Sequence, residues 1–135
     1  MAYSMLYKRA QYLNRNIEFL IDSNIVEYDM KSAGLSIVKE LKLLPESRIR
    51  KLEALPKDEC KKQIGLIQRD DKDFKEKFKP GFELFRRKLF EENNFQDSDI
   101  LTIKRDAIYT IDKFVDHTEF GNIVFRKKNT YTSYL

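Results

Sequence analysis

At 135 residues, 36% of them charged and 13% aromatic, the chain fits one folded domain over 1–135 and excludes a complete multi-domain replicative enzyme. Its 26 basic and 22 acidic residues leave a formal charge of +4, which permits a phosphate-rich partner without demanding one. A single cysteine, Cys60, and a single histidine, His117, exclude a disulfide framework and any zinc site needing several such ligands.

The beginning of the chain carries Lys8 and Arg9 and no apolar h-region, and no window approaches about eighteen uninterrupted apolar residues. The expectation is a cytoplasmic protein that neither spans nor binds a membrane. Abundant Lys, Ile and Asn resemble the coding bias of an AT-rich genome, such as that of a phage, which would make the host cytoplasm its compartment.

From Met1 to Asp22, apolar residues at Leu6, Ala10, Leu13, Ile17, Leu20 and Ile21 step by three and four and predict an amphipathic helix. Asn24 to Met30 changes period. Val26, Tyr28 and Met30 alternate with Ile25, Glu27 and Asp29, which predicts a strand carrying acids on one face. Ser32 can cap a helix through Leu35, Val38 and Leu41 that stops before Pro45.

Helices follow over Glu46 to Leu55 and, after Pro56, over Lys57 to Arg69. Pro80 predicts a new helix start or a kink. Phe74, Phe78, Phe82, Phe85, Leu89 and Phe90 nevertheless keep helical spacing across it, as a core-facing stripe does. Lys72, Lys75, Lys79 and Arg86 align on another side, where a solvated face is the first reading and a phosphate track the second.

Ile100 to Lys104 and Ala107 to Ile111 predict a hairpin turning at Arg105-Asp106. Ile123 to Arg126 and Thr130 to Leu135 predict a second β pair around Asn129. The strand-like ending at Tyr134-Leu135 reads as the edge of a longer chain, of which this would be a fragment. The fold class expected is α+β: a small antiparallel sheet packed with several helices, helix-rich in the middle.

Two-metal nucleotidyl transfer needs carboxylates held close together on rigid backbone, because two divalent ions must flank the reacting phosphorus. Asp29 ends the early strand, facing the same way as Glu27, and Asp106 stands at the later hairpin tip. If those elements are neighbours in one sheet, the carboxylates converge.

The stretch from Asp29 to Ile37 resembles the first palm motif of the family B DNA polymerases, D-x-x-S-L-Y-P-S-I, at Asp29, Ser32, Ser36 and Ile37. Ile103 to Tyr109 looks like a degraded form of the second motif, Y-x-D-T-D-S. The resemblance implies a phage-type palm that binds DNA and magnesium. Asp29 and Asp106 would be catalytic metal ligands and Glu27 a supporting acid. Lys31, Ser32, Lys104 and Arg105 would meet nucleic acid or phosphate, and Lys61, Lys62 and Arg69 would be the triphosphate contacts.

The departures point elsewhere. Gly34 stands where the family has a tyrosine, Leu35 replaces its proline, Lys104 falls where the second motif has its first aspartate, and the fingers motif is missing. An alternative is a non-catalytic phage protein on the same scaffold, binding nucleic acid or modulating a host protein. Lys31, Lys104 and Arg105 favour it, since cations beside carboxylates repel divalent ions and attract phosphate. A domain with no site is the third reading. His117 reads as a loop residue, Cys60 as a small core residue, and Tyr131 and Tyr134 as edge-strand packing before base stacking.

Overall fold

The computed structural model describes residues 3–15 and 23–133. A 3-10 turn, Met5–Lys8, precedes the short strand β1 (Gln11–Leu13). The helix expected from Met1 to Asp22 is thus a turn and a strand in its described part, and 16–22 lie outside it. Pairing explains the difference. Gln11, Tyr12 and Leu13 lie opposite Lys104, Ile103 and Thr102, and the Thr102 hydroxyl donates to the Tyr12 carbonyl at 2.6 Å. An isolated short helix is marginal, so a ladder partner decides the conformation.

The alternating segment forms β2 (Ser23–Met30), and α1 (Ala33–Leu41) follows. Ser32 adopts a left-handed conformation at φ 45° and its side chain makes no cap bond. The Ser36 hydroxyl instead donates to the Lys31 carbonyl at 2.8 Å. Pro45 and Pro56 immediately precede α2 (Glu46–Glu53) and α3 (Lys57–Asp70), where a missing N–H costs nothing. Asp71 opens α4 (Lys72–Glu92) by accepting from the Phe74 amide at 3.1 Å.

Of the two outcomes expected at Pro80, a new helix start or a kink, the first does not occur: α4 runs through the proline as one helix. Phe74 and Phe78 before the proline, and Phe85, Leu89 and Phe90 after it, are all buried on one face. Their combined burial outweighs the roughly 3 kcal/mol that an interior proline costs. Next to it, a β-carbon on Gly81 would stand 2.6 Å from Ile37 Cγ2 and 3.3 Å from Leu41 Cδ1, so α1 crosses α4 against bare backbone. Gly81→Ala is therefore expected to destabilise the protein: overpacking of about 1–3 kcal/mol exceeds a helix-propensity gain of at most about 1 kcal/mol. A melting temperature above that of the wild type would contradict this.

The hairpin strands β3 (Ile100–Lys104) and β4 (Ala107–Ile111) form as expected. The final segment differs: after β5 (Glu119–Phe120), a single strand β6 (Ile123–Ser133) replaces the expected pair. Asn129 does not turn the chain. A bulge at Lys128 takes up the irregularity, with Glu27 opposite Asn129 and Tyr28 opposite Lys127. The described strands form one sheet in the order β1-β3-β4-β2-β6-β5, every pair antiparallel. Beyond Val124, the outer side of β6 has no strand partner among the described residues.

The helices cover one side of this sheet. Met30, Ile103, Ile108, Ile123 and Phe125 join Ile37, Val38, Ile64, Phe78, Phe85 and Leu89 in one buried cluster. Strand alternation then places Glu27 and Asp29 on the opposite side from Met30.

Candidate functional site

Strand register arranges that second face in rows. Lys104, Ala107, Asp29 and Arg126 form the row nearest the hairpin tip. Thr102, Tyr109, Glu27 and Asn129 form the next, and Ile111, Ile25 and Tyr131 the third. Charge thus gives way to hydrogen-bonding groups and then to apolar and aromatic ones.

In the first row Asp29 is only 18% exposed, with Arg126 Nε 3.8 Å from Oδ1 and Lys128 Nζ 4.0 Å from Oδ2. Its Oδ1 is enclosed and has no hydrogen-bond partner. In the second row Glu27 is 6% exposed and accepts from Asn129 Nδ2 at 2.9 Å, with Tyr109 opposite it in the register. Lys104 Nζ stands 5.5 Å from the Tyr109 ring centre.

Burial raises the Tyr109 phenol pKa first, and the neighbouring Glu27, Tyr131 and Asp29 add to the shift. Tyr28, on the helix side, accepts from the Val115 amide at 2.9 Å and is raised mainly by burial. Because the folded protein holds both phenol protons more tightly than the unfolded chain, their contribution to stability is full below the ordinary phenol value of 10.0. It is lost as pH rises through the folded values. Tyr109→Phe should flatten that alkaline loss, measured by urea unfolding on either side of the phenol range; an unchanged profile would contradict the assignment.

Asp106 is half-buried at the hairpin turn, beside the end of β2, where its carbonyl accepts from the Met30 amide at 2.9 Å. The two aspartate-bearing elements are neighbours in one sheet, the condition set for their carboxylates to converge. The register is one position out: Asp29 faces Ala107, and Asp106 stands level with Met30. Among the described residues no group of three or more His, Cys, Asp or Glu side chains could hold a metal ion.

The basic candidates separate into two places. Lys31 follows β2, its amide donating to the Val124 carbonyl at 2.7 Å, and Lys104 and Arg105 flank the hairpin turn. Arg126 and Lys128 reach the same end of the sheet from β6, and all five are exposed. Ser32 is exposed beside Lys31. Lys61, Lys62 and Arg69 instead stand exposed on α3, which packs on α1, α2 and α4, and Arg69 pairs with Asp70 at 2.9 Å. The structure does not bring those three to the acids.

Arg86 leaves the expected lysine track altogether. It is 3% exposed and donates from Nε to the Tyr7 carbonyl at 2.8 Å and from Nη1 to the Arg105 carbonyl at 2.9 Å. Burial lowers its pKa. A β-carbon at Gly34 would lie 3.4 Å from Ile64 Cδ1 and 3.8 Å from Phe78, so the place of the polymerase tyrosine faces the helical layer here. Cys60 is buried, which raises its thiol pKa, and the backbone at His117 is tied to the Asn93 side chain. Sequence reasoning missed Arg126, Lys128 and Asn129 as members of the site; the signal was the basic triplet 126–128 inside a β pattern.

This fold and site define an α+β protein that packs helices on one sheet face and carries a cation-rimmed cluster of acids and tyrosines on the other. The chain belongs to the family described as Bacteriophage PBS1 gene 130 protein, which matches residues 1–135 and makes it a phage-family protein. No curated protein and no solved structure matches it. Among the described residues, no helix is long and apolar enough to cross a membrane.

Proposed function

We propose that this is a non-catalytic phage protein on a palm-like scaffold, which binds nucleic acid in the host cytoplasm through the hairpin end of its sheet. The observation that carries the reading is the gathering of Lys31, Lys104, Arg105, Arg126 and Lys128 at that end from three separate stretches of the chain. Asp29 lies between two of these cations, so its charge is already matched. Phosphates meeting the remaining positive field would release counterions on binding.

Affinity for a single-stranded oligonucleotide is expected to fall steeply as salt is raised. Joint replacement of Lys104 and Arg105 by alanine should lower the log-log salt slope by about one for each phosphate no longer engaged. An affinity indifferent to salt would overturn the reading.

A second reading, nucleotidyl transfer with magnesium held by Asp29, Asp106 and Glu27, is favoured by the Asp29 Oδ1 that lacks a hydrogen-bond partner. Against it, among the described residues no three acids are grouped closely enough to hold a metal ion, and two cations already stand beside the Asp29 carboxylate. Calorimetric titration of magnesium into wild type and Asp29→Ala decides: binding lost with the carboxylate supports the metal, and equal, negligible heats remove it.

A further inference from the structure

We infer that the ligand of this face is a single strand rather than a duplex, its bases stacking on Tyr131 while its phosphates lie on Arg126 and Lys128; this rests on the nucleic-acid reading above. Three observations carry it. Tyr131 is 46% exposed, unusual for an aromatic ring within a sheet, and it occupies the same face as Arg126 and Asn129. Every residue from Arg126 to Tyr131 is exposed, so β6 offers a continuous track from cations to ring.

The third observation is the grading of the rows. From the Asp29 row to the Ile25 row is four residues along β2, about 13 Å. Across that distance the exposed side chains of β6 pass from the cations, through Asn129 holding the buried Glu27, to Tyr131, which stands beside the buried Ile25 and the half-buried Ile111. An extended strand presents the matching sequence of chemistry, with charged phosphates along one side and flat, apolar base faces along the other. A duplex turns its base faces inward and shows only phosphates and groove edges, leaving the exposed ring without a partner.

The test is fluorescence anisotropy with the full chain, a labelled oligo-thymidine and a hairpin duplex of equal charge, at low salt. The single strand should bind more tightly than the duplex. Tyr131→Ala should weaken single-strand binding about tenfold with the salt slope unchanged, and Tyr131→Phe should retain it. Phe114→Ala is the control. That ring is 56% exposed, but it lies beside Lys127, which is level with Tyr28 on the helix side, and its loss should leave affinity intact.

Far-UV circular dichroism of each variant should match the wild type, since all these side chains are solvent-facing. Equal binding of duplex and single strand, with Tyr131→Ala unaffected, would overturn the stacking inference and leave the cation reading standing. No binding of either probe at low salt would remove both.

Discussion

Phe90→Ala is expected to lower the free energy of unfolding by about 4 kcal/mol, enough to threaten a marginally stable domain. Phe90 is fully buried near the end of α4, its ring stacked on that of Phe95 at 4.6 Å and 7°. Phe95 is equally buried, its amide donating to the Phe90 carbonyl at 2.9 Å and its own carbonyl accepting from the Ser4 amide at 2.7 Å. Lys113 Nζ adds a cation 5.4 Å from the Phe95 ring centre. Removing one ring leaves a cavity bounded by secondary-structure ends that cannot collapse independently. Urea unfolding measures the loss; one below about 1 kcal/mol would show that Phe95 refills the space.

Arg86→Ala is expected to cost about 3 kcal/mol, one turn earlier on the same helix. The guanidinium serves two carbonyls from distant parts of the chain, Tyr7 and Arg105, in a place that water scarcely reaches. Its loss leaves both acceptors without donors and removes a long apolar stem. Arg86→Met keeps the stem and should recover part of the loss, whereas a lysine cannot fork to both oxygens. Hydrogen exchange provides a local reading: the Met30 amide, bonded to the Asp106 carbonyl beside the hairpin tip, should lose protection in the variant. Stability within about 0.5 kcal/mol of the wild type would mean that water replaces the guanidinium. Because Arg86 and Phe90 are neighbours on the helix, the double variant should not show the simple sum.

Most of the architecture could be read where local pattern and tertiary demand agree. The alternation from Ile25 to Met30, the proline stops at Pro45 and Pro56, the aromatic stripe of α4 and the Arg105-Asp106 hairpin are all of this kind. The exceptions share a cause. β1 is a strand because β3 lies beside it, and α4 passes through Pro80 because five buried apolar side chains hold both halves to one core. β6 is continuous because β2 pairs along its length, with a bulge where the pattern breaks. Each depends on a partner remote in sequence, which no local window contains.

The site was legible in part for the same reason. Glu27 and Asp29 share a face by strand period alone, and the neighbouring hairpin follows from topology. The cations facing them come from a strand roughly a hundred positions later, and only the register names Arg126 and Asn129 as their partners. Whether a lysine track continues to Arg86 depends on which way one side chain turns, and that is set by the carbonyls of Tyr7 and Arg105.

On the nucleic-acid reading proposed above, the long final strand, paired on one side only over most of its length, would tie resistance to aggregation to recognition. Unpaired backbone of that kind invites another chain to add itself, and three successive positive side chains with a local kink are a common deterrent. Arg126, Lys127 and Lys128 would then serve two ends at once. Neutralising all three should both weaken the hold on polyanions and let molecules zip together edge to edge, so any such variant needs its state of aggregation measured before its affinity.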